Sequence, residues 1–335
     1  MSAAPPISIV MPVRDGGAWL RLAVDSLYAQ RCGDFELLLV DDHSADNAIA
    51  ELPRDPRLRV LSNRGRGIVA ALNTGLAAAR GALVARMDGD DIALPERLAV
   101  QRDFLAANPQ IGIAGAQVEI FVEGGEPAGG YRHYQRWING LCSAQQIGRE
   151  IFVESPIPHP TAIWRRSLVE ALGGYRETPW AEDYDLWLRA HRAGVQMGKP
   201  QGVLLRWRDH DSRLSRRDPR CARERFVEAK AEALAAQIAA QRPLALCGTG
   251  TVAIQLHDAL AARGVELRCF LDVNPRRIGG RKRDLPVLAL EAAPGLCAEG
   301  VLLLGALGRR GAGAGLRSVL NGLGLCEVQD FLLCA

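Results

Sequence analysis

The chain has 335 residues, 48% of them hydrophobic, and its 41 basic and 38 acidic side chains give a formal net charge of +3. This near balance argues against a protein that covers nucleic acid with a basic surface, and the length predicts two domains. No apolar run reaches the ~18–20 residues of a membrane-spanning helix, although docking to a membrane surface stays open. The eight cysteines form no CxxC pair and no signal peptide precedes them, so we expect a reduced, cytoplasmic protein.

The N-terminal part of the chain alternates short apolar runs with segments whose apolar residues recur at helical spacing. Helices are expected after the first strand and over 68–79, and a further helix after the second strand, capped by Ser44 or Asp46. This alternation predicts a mainly parallel sheet with right-handed crossovers and helices on both faces. The strands predicted here are 7–13, 35–40, 58–61 and 82–87.

Longer, mixed segments begin at residue 111, and a second strand–helix alternation begins at Leu244. The glycine turn Gly248-Thr249-Gly250 in this second alternation predicts a small Rossmann-like α/β domain. The further elements expected are a strand at 111–122, helices at 182–192 and 219–241, and strands at 244–247, 265–271, 301–305 and 325–332. The predicted division is a first domain over 1–217, a connecting helix over 218–242 and the Rossmann-like domain over 243–335.

Charged residues follow three of the predicted strands, at the points where the apolar runs end. They are Arg14-Asp15, Asp41-Asp42 and the segment 88–91. In open parallel sheets, ligands bind beyond the carboxyl ends of the strands, where the chain turns toward the next helix. We therefore expect these three segments to share one edge of the sheet.

Asp88-Gly89-Asp90 is a DxD arrangement. Two carboxylates two positions apart on an extended segment point to the same side, and the glycine between them lets a ligand approach the backbone. Mg²⁺ and Mn²⁺ favour such oxygen ligands and commonly bridge them to phosphates. The alternative is that these acids only form a turn and cap a helix, a role that Asp91 and Pro95 fit.

Four segments occur in a recognisable order: PISIVMPVRDGGAWLRLAVDSLYAQ, FELLLVDDHSADNA, NRGRGIVAALNTGLAAARG and ARMDGDDIALPERLAVQ. Continued by HPTAIWRRSLVEALGGY and AEDYDLWLRA, this order resembles the inverting nucleotide-sugar glycosyltransferases of family 2, over roughly residues 5–215. The resemblance implies the GT-A nucleotide-diphospho-sugar transferase fold for the first domain. It also implies a nucleotide-sugar donor, a UDP-sugar by preference, and a Mg²⁺ or Mn²⁺ cofactor.

The resemblance assigns nucleotide-binding roles to residues at the ends of the first strands. Asp42 matches the position that contacts the nucleobase, with turn capping as the alternative, and Pro12 and Arg14 match positions beside it. Arg14 replaces an aromatic residue sometimes found there. Asp88 would meet the ribose or the metal shell, and Asp90 would hold the metal that bridges the two phosphates.

Glu182-Asp183 matches the acidic pair at a helix start from which the family draws its general base. Inversion requires a base that removes the proton of the incoming hydroxyl, and the resemblance gives this role to Asp183. The helix N-terminus keeps that carboxylate charged, whereas its neighbour Glu182 raises its basicity by like-charge repulsion. Two acids that merely cap a helix are the alternative.

Two further segments resemble parts that surround the family's site. His159, fixed between prolines, would aim its ring at the acceptor or a phosphate, or it is a partly buried histidine bonded to the backbone. Arg208, His210 and Arg213 would clamp the diphosphate, and His210 would also complete the metal shell. The alternative is that these arginines are exposed and solvated.

The acceptor is expected to be a hydroxyl of a saccharide, a glycolipid or another cell-envelope precursor, with Trp164, Trp180 and Trp187 as candidate stacking faces. The glycine turn and Asp272 together resemble a dinucleotide fingerprint, but a structural, regulatory or oligomerising role is the stronger interpretation. Association with a second copy of the chain stays open. Two other functions compete with the transferase: a nucleotidyltransferase that makes sugar nucleotides, and a non-catalytic sugar-nucleotide binding protein.

Overall fold

The computed structural model describes residues 5–239, 241–309 and 311–335. The chain forms two compact units. The first comprises Met1–Gly148, Pro156–Thr178 and Ala193–Arg217, and the second comprises Arg149–Ser155, Pro179–Arg192 and Asp218–Ala335. The second unit thus takes in two short segments that the sequence analysis assigned to the first domain.

A seven-stranded sheet forms the centre of the first unit, in the order β3-β2-β1-β4-β8-β6-β9. Strand β1 is buried along its whole length, as expected for a parallel strand covered on both faces, and it lies parallel to β2 and β4. Strand β8 is antiparallel to both of its neighbours. The strands of this sheet are β1 (Ile7–Val13), β2 (Phe35–Asp41), β3 (Leu58–Ser62), β4 (Leu83–Arg86), β6 (Ile111–Ala114), β8 (Ile163–Arg165) and β9 (Gln196–Gly198).

A three-stranded sheet lies in the same unit, in the order β5-β10-β7. Its strands are β5 (Ile92–Ala93), β7 (Gln117–Phe121) and β10 (Val203–Arg208). One apolar core includes Leu20, Leu39, Met87 and Leu205, so both sheets pack into the same interior. Because β5 directly follows the acidic turn at 88–91, this small sheet fixes one end of that turn.

The second unit contains a six-stranded sheet in the order β13-β14-β12-β11-β15-β16. All of its neighbouring strands are parallel except the pair β13–β14. Its strands are β11 (Leu244–Cys247), β12 (Leu267–Asp272), β13 (Arg281–Lys282), β14 (Leu285–Ala289), β15 (Leu302–Gly305) and β16 (Phe331–Leu333). Its core is separate from that of the first unit and includes Ala245, Leu271 and Leu303.

The helices complete both units. They are α1 (Gly17–Tyr28), α2 (Ile68–Ala78), α3 (Arg97–Ala107), α4 (Gly129–Gly140), α5 (Ala144–Glu150), α6 (Arg166–Ala171), α7 (Glu182–Arg192), α8 (Leu214–Arg217), α9 (Arg223–Leu234), α10 (Thr251–Ala261), α11 (Ala293–Ala298) and α12 (Ala312–Gly322). In the described ranges, no helix combines the length and the apolar character needed to span a bilayer. All eight cysteines are free.

Four predicted elements differ from the structure. The strand expected over 325–332 is reduced to β16, because residues 326–330 form a turn in which the N–H of Asp330 donates to the carbonyl of Cys326 and the N–H of Cys326 donates to the Asp330 carboxylate, both at 2.8 Å. The helix expected after β2 is absent from the described segment 43–57, because Ser44 and Asp46 accept the N–H groups of Asp15 and Gly17 instead of capping a helix of their own. The strand expected over 111–122 is split at Gly115 into β6 and β7, which belong to different sheets. The helix expected over 219–241 is interrupted: a short 3₁₀ turn precedes α9 and a π-helical segment, Ala235–Ala239, follows it, while residue 240 lies outside the described residues.

Candidate active site

The acidic segment at 88–91 forms a tight turn between β4 and β5. It is a turn rather than the expected extended segment, and one oxygen from each of Asp88, Asp90 and Asp91 lies within 4.8 Å of the others. The turn brings a third carboxylate into the pair that the DxD spacing predicted. Burial, and then the charge of Asp88, raise the pKa of Asp90.

Asp91 is the residue that the sequence analysis missed, since it was interpreted as a turn former or helix cap. Its Oδ1 accepts the backbone N–H of Arg208 on β10 at 2.9 Å, and α3 begins without a side-chain cap. Its side chain is 1% exposed, and Oδ2 has no hydrogen-bond partner among the described residues. Burial, and then the charges of Asp88 and Asp90, raise the pKa of Asp91 well above its usual value.

The donor chemistry of this turn fits a divalent cation. Three carboxylates that repel one another, one with a buried oxygen lacking a partner among the described residues, form a favourable environment for a hard cation with oxygen ligands. The Nε2 atom of His210 lies 2.8 Å from Oδ2 of Asp90, so an imidazole nitrogen joins the set. Asp88, Asp90, Asp91 and His210 are therefore the residues that could hold Mg²⁺ or Mn²⁺.

Buried arginines adjoin the acidic turn. Arg86, at the end of β4, is 4% exposed and forms an ion pair with Asp88. Arg97 of α3 is 1% exposed and donates to the backbone carbonyl of Arg86 at 2.6 Å. Burial lowers the pKa of Arg97 to about 10, which leaves it charged at neutral pH. These cations partly compensate the negative charge of the turn.

Arg208 contacts the acidic turn and is buried, so it is not the exposed, solvated side chain of the alternative interpretation. It is 1% exposed, its Nε donates to the carbonyl of Asp90 at 2.7 Å, and its guanidinium pairs with Glu123. Its Cζ also lies 4.6 Å from the ring centroid of Phe121. These contacts use the guanidinium to support the turn.

His210 and Arg213 lie in the turn after β10. The His210 ring contacts Trp19 with the centroids 4.3 Å apart, and its Nδ1 lies 2.8 Å from Oγ of Ser212. Arg213 is half-buried, with its Cζ 4.5 Å from the ring centroid of Trp207. The charge of Arg213 lowers the pKa of both Asp90 and Asp91, as expected for a cation close to the turn.

Asp42 follows β2 at the same edge of the sheet. It is buried, accepts a hydrogen bond from Nδ2 of Asn63 at 2.6 Å, and accepts the N–H of Gly67, just before α2, at 3.0 Å on both oxygens. Asp42 therefore shapes the loop that leads into α2, and its contact with a nucleobase stays a prediction. Of its predicted neighbours, Pro12 is buried in β1 and Arg14 is exposed just beyond it.

His159 is buried, and its Nε2 lies 2.7 Å from the hydroxyl of Tyr175. Burial, and then the charge of Arg86, lower the pKa of His159 well below its usual value. The ring is therefore neutral near pH 7 and cannot attract a phosphate by charge. The Tyr175 hydroxyl is thus one of its partners, and a contact of His159 with an acceptor or a phosphate stays a prediction.

Glu182 and Asp183 begin α7, which belongs to the second unit. Glu182 is 8% exposed, with its Oε2 3.7 Å from Nη1 of Arg220. Asp183 is half-buried, and its Oδ1 accepts the N–H of Tyr184 at 2.7 Å. A carboxylate at this end of a helix is stabilised in its charged form by the helix dipole.

The tryptophans proposed as stacking faces for a sugar are all in the interior. Trp164, Trp180 and Trp187 are 1%, 8% and 0% exposed, so that interpretation is wrong. The Trp164 ring lies against that of Tyr175, with the centroids 6.3 Å apart, and large rings contribute most to stability when they are buried.

The glycine turn of the second unit brings together Thr249, Asp272 and Arg277. Thr249 donates its hydroxyl to Asp272, and Nη1 of Arg277 lies 2.8 Å from that hydroxyl and 3.1 Å from the Asp272 carboxylate. Asp272 is thus engaged within the unit. Dinucleotide binding at this turn stays a prediction.

Comparison with known proteins adds to this geometry. The chain matches the model of "Glycosyl transferase family 2" over residues 8–173. An uncharacterized glycosyltransferase of Haemophilus influenzae is 30% identical over 210 residues, which are 61% of this chain and 76% of that protein. The amylovoran biosynthesis glycosyltransferase AmsE of Erwinia amylovora is 28% identical over 203 residues, 59% of this chain and 73% of that protein.

Two solved structures share the fold. S. aureus TarS 1-349 in complex with UDP-GlcNAc has a TM-score of 0.53 at 17% identity, over 69% of this chain and 67% of that one. Mannosyltransferase PcManGT from Pyrobaculum calidifontis, in complex with GDP-Man and Mn²⁺, has a TM-score of 0.51 at 20% identity, over 78% and 70%. The chain therefore belongs to glycosyl transferase family 2 and is a glycosyltransferase with the GT-A fold.

Proposed function

We propose that this glycosyltransferase moves a sugar, with inversion, from a nucleotide-diphosphate donor to a hydroxyl of a saccharide or lipid-linked acceptor of the cell envelope. A UDP-sugar is the favoured donor. The observation that carries the proposal is the acidic turn, where three carboxylates lie within 4.8 Å of one another and one buried oxygen lacks a partner among the described residues. Relatives named for amylovoran and O-antigen biosynthesis support an envelope polysaccharide as the product.

The acidic turn would serve the diphosphate of the donor. Asp88, Asp90 and Asp91, with His210, would hold Mg²⁺ or Mn²⁺, which when bound stabilises the departing diphosphate as a Lewis acid. The Mn²⁺ in the PcManGT complex supports this choice of ion for a protein of the same fold. Arg208 would keep the turn in shape, and Arg213 would offer N–H donors to the phosphate oxygens.

Asp42 would select the nucleobase by accepting hydrogen bonds. A carboxylate has about four lone-pair sites, so bonds from Asn63 and Gly67 leave acceptor capacity for the N3–H of uracil. Guanine also presents N–H donors, which makes GDP the competing nucleotide. The TarS complex supports uridine and the PcManGT complex supports guanosine, so the preference for UDP rests on the sequence resemblance.

Asp183 would act as the general base that removes the proton from the acceptor hydroxyl. Its place at the start of α7 keeps it deprotonated at neutral pH, which a base requires before the acceptor arrives. The neighbouring Glu182 forms an ion pair with Arg220 at 3.7 Å, so the acidic pair at the start of α7 has a cation beside it. Family membership argues against both the nucleotidyltransferase and the non-catalytic alternatives.

The test is calorimetric titration of UDP, GDP and NAD into the full chain with Mn²⁺ and then with EDTA. We expect UDP to bind with Mn²⁺ and to lose most of its affinity with EDTA. Binding of GDP instead would change the donor assignment. If neither nucleotide binds with Mn²⁺ present, the proposal fails, and binding of NAD alone would turn attention to the glycine turn of the second unit.

A further inference from the structure

Segment 206–216, which comprises the end of β10 and the turn after it, places arginines against aromatic rings. Arg206 stacks on Phe121, Arg213 on Trp207 and Arg216 on Tyr131, with Cζ-to-centroid distances of 4.3, 4.5 and 5.2 Å. Each contact brings a cation over an electron-rich ring face, an attraction that strengthens as water is excluded. The contacts of Arg213 and Arg216 hold the turn after β10 against β10 itself and against α4.

Arg213 differs from the other two arginines in its ion pairs. Arg206 pairs with Glu119 at 3.0 Å, and Arg216 pairs with Asp209 at 2.7 Å. The described part of the chain shows no ion pair for Arg213, whose guanidinium lies over the Trp207 ring. Its N–H donors are therefore not committed to a carboxylate, although its charge reaches Asp90 and Asp91.

Trp207 is held by packing. It lies on β10 opposite Ile120 of β7, and its ring centroid is 6.2 Å from that of Tyr134 on α4. Its indole N–H is buried and has no hydrogen-bond partner among the described residues. An indole in such a position offers its face, and the face is what Arg213 occupies.

We propose that Trp207 is the positioning residue that holds Arg213 ready for the diphosphate of the donor. This inference rests on the proposed function and deepens it by naming how the phosphate-binding cation is kept in place. Guanidinium groups bind phosphate through paired N–H donors, and an arginine already oriented loses less conformational entropy when it does so. The ring orients Arg213 without consuming those donors.

The experiment compares the binding of UDP and UMP, with Mn²⁺ present, in the full-length protein. The ratio of the two dissociation constants, UMP over UDP, measures how strongly the second phosphate is bound, and Arg213 is assigned a share of that binding. Trp207→Met removes the ring face while filling part of its space. If this variant fails to fold, Trp207→Leu is used in its place. We expect the ratio to fall about three- to tenfold in Trp207→Met and to return to within about twofold of the original in Trp207→Phe.

A double-mutant cycle separates positioning from simple packing. Arg213→Gln should lower the ratio at least as much as Trp207→Met, and the double variant should show no further fall, because both changes remove one interaction. Tyr28→Leu is the matched control, since it removes an aromatic ring under Arg57, whose Cζ lies 5.1 Å away, and should leave the ratio unchanged.

Three results would overturn the proposal or its basis. An unchanged ratio in a folded Trp207→Met variant rejects the positioning role. Additive losses in the double variant assign Trp207 to packing alone. If the unaltered protein binds neither UDP nor GDP, the proposed function fails, and this outcome is distinct from the other two.

Discussion

Asp91→Asn should stabilise the metal-free protein while weakening its response to a divalent cation. One oxygen of Asp91 accepts the Arg208 N–H at 2.9 Å, and the other is buried without a partner among the described residues. A buried polar group without a partner costs about 1–3 kcal/mol, and more when it is charged. The asparagine oxygen can keep the bond to Arg208 while its amide offers donors to Asp88 and Asp90, so we expect a gain of about 1–3 kcal/mol.

The pH dependence of this effect has a definite sign. The raised pKa of Asp91 means that the folded protein binds more protons than the unfolded chain does. The free energy of unfolding should therefore fall as pH rises from the unfolded pKa of about 3.9 through the higher folded pKa. In Asp91→Asn the fall should be smaller, with Asp90, whose pKa is also raised, supplying the remainder.

The assay is denaturant unfolding in EDTA at pH 5 and pH 8, followed by addition of Mn²⁺ and UDP. Mn²⁺ with UDP should raise the midpoint of the unaltered protein more than that of the variant. Asp25→Asn is the control, because Asp25 forms an exposed pair with Arg21 at 2.7 Å and should change stability by less than about 0.5 kcal/mol. A lower midpoint for Asp91→Asn in EDTA, or an unchanged pH dependence, would refute the reasoning.

Three other outcomes are expected. Tyr175→Phe removes the hydroxyl 2.7 Å from the buried ring of His159 and should lower the free energy of unfolding by about 1–3 kcal/mol in chemical denaturation; a loss under about 0.3 kcal/mol would count against that bond. Lys199 is buried, donates to the carbonyl of Ile138 at 2.6 Å, and has its pKa lowered by burial to about 7. The folded state thus binds fewer protons than the unfolded chain between about pH 7 and 10. The free energy of unfolding should therefore rise with pH in this range, by at most about 1.4 kcal/mol per pH unit. Lys199→Met should remove this slope, which unfolding measured at pH 7 and pH 9.5 would check. Asp183→Asn should bind UDP with the original affinity and lose about 10²–10⁴-fold in turnover, measured by calorimetry and product release; weakened UDP binding would contradict its role as base.

The family, the GT-A fold and the enzyme class predicted from the sequence are confirmed. Strand β1 and helix α7 begin and end where the apolar periodicity placed them, because each carries its own local pattern. Asp46 shows where local patterns fail. The sequence predicts that it caps a helix after β2, but segment 43–57 contains no helix, and Oδ2 of Asp46 instead accepts the N–H of Gly17 at the start of α1.

The site shows the same limit at longer range. The DxD spacing identified the acidic turn, yet the burial of Arg208 depends on Glu123 and on the carbonyl of Asp90, 118 positions away in sequence. Asp91 likewise is distinguished by a bond to a strand that comes 117 positions later. These contacts form because β10 packs against the acidic turn, and neither composition nor periodicity predicts them.

The contacts between the loop after β1 and the loop after β2 have a consequence for engineering. Ser44 and Asp46 accept the N–H groups of Asp15 and Gly17, and the Asp15 carboxylate accepts the N–H of Ala45 at 2.6 Å. The two loops therefore depend on each other. Grafting either loop alone from a relative would leave hydrogen-bond donors and acceptors of the other loop unmatched. Attempts to exchange the donor nucleotide by recombination should transfer residues 14–17 and 42–46 together.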